Sequence, residues 1–67
     1  MEYYRNKLTN SVYEGYQTNM QIAVETGNGD LIVAYPGDYI MTNAYGSQSV
    51  VDKDVFLSDY VKEVVDD

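Results

Sequence analysis

The stretch Met20-Gln21-Ile22-Ala23-Val24-Glu25-Thr26-Gly27-Asn28-Gly29-Asp30-Leu31-Ile32-Val33-Ala34-Tyr35 decides the fold. Residues 20–25 alternate apolar and polar, which puts Met20, Ile22 and Val24 on one face of a half-buried strand. Asn28-Gly29 is a strong hairpin signal, because both central residues of a type I′ turn need positive φ. Leu31 to Tyr35 then returns as a second strand, rich in β-branched and aromatic residues. The hairpin is expected to bury Ile22, Val24, Ile32 and Tyr35.

The same reading extends in both directions. Tyr35-Pro36-Gly37-Asp38 fits a type II turn, with proline presetting φ and glycine accepting positive φ. Tyr39-Ile40-Met41-Thr42 is a further strand, Asn43-Ala44-Tyr45-Gly46 a turn, and Ser49-Val50-Val51 pairs briefly after it. Upstream, Tyr3 to Lys7 and Val12 to Gln17 mix aromatic and polar residues as strands do, with Thr9-Asn10-Ser11 as the turn between them. Downstream, Asp52 is a helix cap, Lys53 opens the helix and Asp54 suits its first turn. Phe56, Tyr60 and Val64 recur at helical spacing, yet residues 59–64 also alternate as a strand would. The helix end is therefore open between Ser58 and Val64. The expected fold is α+β, one small domain over 1–67, with an antiparallel β-sheet of about four to five short strands and one short C-terminal helix.

Composition excludes more functions than it suggests. The chain has 67 residues, eleven acids, four bases, and no cysteine or histidine. Without histidine there is no catalytic triad and no side chain that ordinarily titrates near neutral pH. Without cysteine there is no thiolate nucleophile, zinc knuckle or disulfide. No apolar run approaches the ~18 residues of a membrane span, and the opening MEYYRNKLTN is too polar for a signal peptide. The expectation is a cytoplasmic protein that touches no membrane. Small domains without staples lean on a partner or on a second copy, so a homo-oligomer is open.

Charge is uneven. Glu2, Arg5 and Lys7 give residues 1–10 a net +1, while Asp52, Asp54, Asp59, Glu63, Asp66 and Asp67 against Lys53 and Lys62 give residues 50–67 a net −4. Such a tail repels phosphate, so direct nucleic-acid binding is not expected. It suits a basic partner instead. Asp52 and Asp54, two apart, would hold carboxylates roughly 6–7 Å apart on a strand, close to the phosphate spacing of a nucleic-acid backbone. Glu63 would stack on Asp59 if the helix continued.

Eight tyrosines accompany these acids, at 3, 4, 13, 16, 35, 39, 45 and 60, with Phe56 the one phenylalanine. Some must pack the core. Tyr3 and Tyr4 point to opposite faces of a strand and Tyr45 sits in a polar turn, so two or three tyrosines should be exposed and able to anchor an interface. The candidate partner-binding residues are Asp52, Asp54, Asp59, Glu63, Tyr45 and Tyr3. No catalytic, cofactor-binding or metal-binding residues are assigned. Asp52-x-Asp54 with Glu63 imitates a calcium loop, but Phe56 takes a ligand position and Leu57 the place of the turn glycine. Gly27-x-Gly29 lacks the third glycine and the helix of a dinucleotide site.

The ordered series Pro36-Gly37-Asp38-Tyr39-Ile40, Gly46, Asp54-Val55-Phe56 and Tyr60 resembles a family of small phage and prophage proteins. Those end in a PGD-aromatic-I pattern, a Gly-Glu loop, KPDIF and Tyr-Glu. Tyr4-Arg5-Asn6-Lys7 and Glu14-Gly15-Tyr16-Gln17 are similar to that family's YRKK and EAxQ segments. The chain departs at Gly46-Ser47 and Asp52-Lys53, and it lacks the family's Tyr-Pro-Cys stretch. The resemblance implies phage origin, and the family is mostly of unknown function. The expectation that follows is an anti-defence protein: a non-catalytic inhibitor that mimics DNA toward a basic, nucleic-acid-binding host protein, as an anti-CRISPR would. The alternatives are a sponge for a small nucleotide signal and a virion or accessory protein without an immune role.

Overall fold

Three hairpin turns set the strand order, and two of them share one construction. In Thr26-Gly27-Asn28-Gly29-Asp30 the Gly29 N–H donates to the Thr26 carbonyl at 3.0 Å and the Thr26 N–H to the Asp30 carbonyl at 2.8 Å. Gly29 has φ 84°, while Asn28 is not left-handed. The loop is thus a three-residue connection with a glycine bulge, and the type I′ turn expected from Asn-Gly is corrected. Asn43-Ala44-Tyr45-Gly46-Ser47 repeats it, with Gly46 at φ 86° and bonds of 3.0 Å from Gly46 to Asn43 and from Asn43 to Ser47. In the first turn Asn10 takes the left-handed position at φ 67°, and the Asn6 side chain accepts from the Leu8 and Thr9 amides.

The computed structural model describes residues 2–64, and within them seven strands and one helix. They run β1 (Glu2–Asn6), β2 (Val12–Gln17), β3 (Ile22–Glu25), β4 (Leu31–Ala34), β5 (Tyr39–Thr42), β6 (Gln48–Val51), α1 (Lys53–Asp59) and β7 (Tyr60–Glu63). Five form an antiparallel sheet in the order β6-β5-β2-β1-β7, and β3 and β4 form a separate hairpin. The α+β class with a small antiparallel sheet and one short helix holds, with more strands than expected. Asp66 and Asp67 lie outside the described residues.

The tail departs from the helical alternative. Asp52 caps α1 by accepting from the Asp54 amide at 2.8 Å, and the helix stops at Asp59. Tyr60–Glu63 is a strand paired with β1, in the register Tyr3↔Glu63 to Asn6↔Tyr60. Glu63 therefore does not stack on Asp59, and Val64 faces solvent. Pairing with β1 decides the conformation that periodicity left open.

Strand parity gives the large sheet two unlike faces. One carries Tyr4, Tyr13, Tyr39, Met41 and Tyr60, and α1 lies on it through Phe56. Phe56 stacks on Tyr39 (centroids 3.6 Å) and Tyr60 (5.5 Å) and meets the edge of Tyr4 (4.8 Å). The opposite face carries Ile40 and Val50, and the β3–β4 hairpin packs there through Val24, Ala34 and Ile22. Of the four residues expected to be buried, Val24 is buried and Ile22 partly so, whereas Ile32 and Tyr35 are exposed. Ile32 sits on the strand farther from β6, and Tyr35 leaves the hairpin into the Pro36-Gly37 turn. Met20 precedes β3 and is exposed.

That turn is type II-like as expected, with Gly37 at φ 99° and the Asp38 N–H on the Tyr35 carbonyl at 2.9 Å. Buried Thr18 holds it against β2, donating its N–H to the Asp38 carbonyl and accepting from the Gly37 N–H.

Candidate functional site

The fold separates the six candidate residues into three places. Asp52, Asp54 and Asp59 share α1, as its cap, first turn and last residue. Glu63 and Tyr3 are cross-strand partners on the opposite face of the sheet. Tyr45, 93% exposed, stands at the tip of the β5–β6 turn. The length of β6, about 13 Å, separates that tip from Asp52.

Around α1 exposed acids and exposed apolar side chains share one short helix. Phe56 is turned inward, which leaves Val55 and Leu57 exposed beside exposed Asp52, Lys53 and Asp54. Asp59 is half-buried, and its carbonyl accepts the Lys7 N–H at 2.8 Å. Asp52 and Asp54 do not lie on a strand, so the strand spacing that invited comparison with phosphates does not apply to them. Val55 and Leu57, two apart on the helix, project from its opposite flanks, and the acids lie between and before them.

On the opposite face one row crosses the whole sheet as Glu63, Tyr3, Glu14, Thr42, Gln48. Arg5 reaches Glu63 with two hydrogen bonds, 2.9 Å from Nε to Oε2 and 2.5 Å from Nη2 to Oε1. The hydrogen bond from Arg5, with a lesser effect of its charge, lowers the Glu63 pKa against the opposing effect of burial, and Arg5's own pKa is raised by the same contact. Lys62 pairs with Glu2 at 3.0 Å, and that bond raises the lysine pKa. Burial, chiefly, and then the Glu2 charge raise the Tyr4 pKa. Glu14 was not singled out from the sequence. It lines an open cavity of about 350 Å³ with Glu2, Gly15, Tyr16, Thr42 and Gln48. No local motif marks it, because the row exists only through pairing of distant strands.

The two ion pairs use two of the four cations. Among the described residues Lys7 and Lys53 are the cations without an ion pair, against seven carboxylates without one: Glu14, Glu25, Asp30, Asp38, Asp52, Asp54 and Asp59. No three acids among the described residues are grouped as a metal cage. No described helix is long and apolar enough to cross a membrane.

The chain matches no protein-family model, no curated protein and no solved structure at a significant level.

Proposed function

We infer that this chain is a non-catalytic binding protein that meets a basic, nucleic-acid-handling partner with the surface of α1. One observation carries the reading: α1 exposes Val55 and Leu57 on its two flanks and the acids Asp52 and Asp54 at its start, in a chain of net charge −7. The exposed Val55 and Leu57 side chains slow the off-rate and the acids steer the encounter. Asp59 adds charge at the far end of the helix, while Glu63 serves the sheet through Arg5. Tyr45 and Tyr3 extend the contact to partners that wrap the molecule. The phage resemblance supports a host defence protein, of the CRISPR-effector kind, as the target. A nucleotide sponge is the weaker reading, since Arg5 and Lys62 are already committed to carboxylates.

The test is capture from bacterial extract on the immobilised protein, with elution by duplex DNA compared with elution by salt. Captured proteins should be basic nucleic-acid binders that DNA displaces. An isolated surface charge contributes only about 0–1 kcal/mol, so Asp52→Lys or Asp54→Lys should each weaken capture slightly and the double reversal much more. Capture that survives the double reversal, with circular dichroism unchanged, refutes the α1 surface.

A further inference from the structure

The feature left unexplained by that reading is the outer edge of β4. Leu31-Ile32-Val33-Ala34 pairs with β3 on one side, in the register Ile22↔Ala34 to Glu25↔Leu31. On the other side no described strand pairs with it. Which main-chain groups face outward follows from the turn. The Thr26 N–H bonds to the Asp30 carbonyl, so Asp30, Ile32 and Ala34 direct their amides and carbonyls to β3. Leu31 and Val33 direct theirs away from it. The next outward amide, Tyr35, is satisfied by Asp38 Oδ2 at 2.9 Å. The available edge is therefore the N–H and C=O of Leu31 and Val33.

This edge lacks the usual protections. Natural sheets blunt an edge with lysine, inward charge, bulges or proline. Of the two outer strands of the large sheet, β7 carries Lys62 and Glu63, and β6 is bridged to the hairpin through Thr26 and Gln48. β4 carries no charge and no proline, and its side chains are exposed except for Ala34. Leu31 is 72% exposed.

We propose that β4 pairs antiparallel with β4 of a second copy, about a two-fold axis passing beside Ile32, to give a weak homodimer. The register is fixed by the outward groups. Leu31 of one copy exchanges both main-chain bonds with Val33 of the other, and the reverse exchange makes four bonds in all. Ile32 then faces Ile32, and Leu31 faces Val33, so every cross-strand pair is apolar. Asp30 faces Ala34, so no acid opposes an acid even though each copy carries net −7. A foreign strand could use the same hydrogen bonds, but only the chain itself is guaranteed to match both the short span and the apolar pairs. The contact is short of the roughly 1,200 Å² of a stable interface, which makes the dimer concentration-dependent.

Sedimentation velocity from about 10 µM to 1 mM, spanning the weak-affinity range, tests it. The expected result is conversion from 7.6 kDa to twice that mass, favoured by salt because the copies repel each other. Ile32→Lys and Ile32→Glu should each be monomeric, since like charges then oppose across the axis. Their equimolar mixture should dimerise again. Should the Ile32 variants lose their sheet signal, Leu31→Lys, at a position too exposed to disturb folding, should raise the dimer dissociation constant at least tenfold. A 7.6 kDa species throughout, polymers from β4 pairing with β7, a mixture that stays monomeric although both Ile32 variants are folded, or a dimer indifferent to Leu31→Lys would each overturn the proposal.

Discussion

Replacing Phe56 by alanine tests the link between the aromatic core and the surface that α1 presents. Phe56 is 7% exposed and is the one buried residue of its helix. Its ring contacts Tyr39, Tyr60 and Tyr4 at 3.6, 5.5 and 4.8 Å between centroids. Truncating a buried phenylalanine typically costs about 3–5 kcal/mol, from lost transfer energy and the cavity left behind. Aromatic pairing beyond area contributes about 0.5–1.5 kcal/mol per pair, which places this site toward the upper end. A domain of 67 residues has a total stability of only about 3–10 kcal/mol, at ~0.05–0.15 kcal/mol per residue.

Phe56→Ala should therefore leave the protein largely unfolded or with its urea midpoint reduced by about half or more. Phe56→Leu, which keeps an apolar side chain but loses the stacking, should fall between. Urea titration followed by far-ultraviolet circular dichroism and by tyrosine fluorescence reads both. The two probes should move together, because Tyr4, Tyr39 and Tyr60 report the same cluster that seats the helix. A cost below about 1 kcal/mol for the alanine variant, typical of surface sites, would refute the claim that this ring anchors α1.

Gly15→Ala should destabilise by about 1–3 kcal/mol, as overpacking does. A methyl there would overlap Met41 Sδ and lie 3.3 Å from the Ile40 carbonyl, and Met41 is fully buried; an unchanged thermal midpoint would contradict this. Glu63→Gln should lower the thermal midpoint at pH 7 but not at low pH. The Glu63 pKa is depressed in the folded state from 4.5, so its contribution is present above that value and is lost as pH falls through the depressed one. A difference between variant and parent that persists at pH 2 would remove the Arg5 pair as its source.

What was legible in the sequence was local. Alternation in 20–25 and 31–35 around Thr26-Gly27-Asn28-Gly29-Asp30 gave the hairpin, and Pro36-Gly37 gave a turn that the glycine φ bears out. Asp52 announced the cap of α1. Asn-Gly fits two loop types, and here the glycine bulge needs only Gly29 left-handed. What was illegible depended on distance. Arg5 and Glu63 are 58 residues apart, and no window contains both, so neither their pairing nor the strand character of 60–63 could be read locally. Burial of Ile32 and Tyr35 failed for a related reason. Periodicity says which residues share a face, and tertiary packing decides how far along the hairpin that face is covered. The candidate acids form a run in sequence, and strand parity sends Glu63 to the face opposite α1.

Adjacent Ile40 and Met41 of β5 are both fully buried and point to opposite sides of the sheet. Met41 shares its face with α1, and Ile40 holds the hairpin that ends in β4. The surface proposed for a basic partner and the edge proposed for a second copy are thus built on one inner strand without overlapping. Their electrostatics oppose each other: salt weakens an acid-to-base contact, and it eases the approach of two copies that each carry net −7. A basic partner seated on α1 does locally what salt does in bulk, neutralising carboxylates that make the copies repel. Partner binding should therefore promote pairing at β4. By linkage, pairing should promote partner binding by the same factor. A dimer held at β4 also presents two α1 surfaces, so a partner with two basic sites gains a second, intramolecular contact without any new chemistry in either chain.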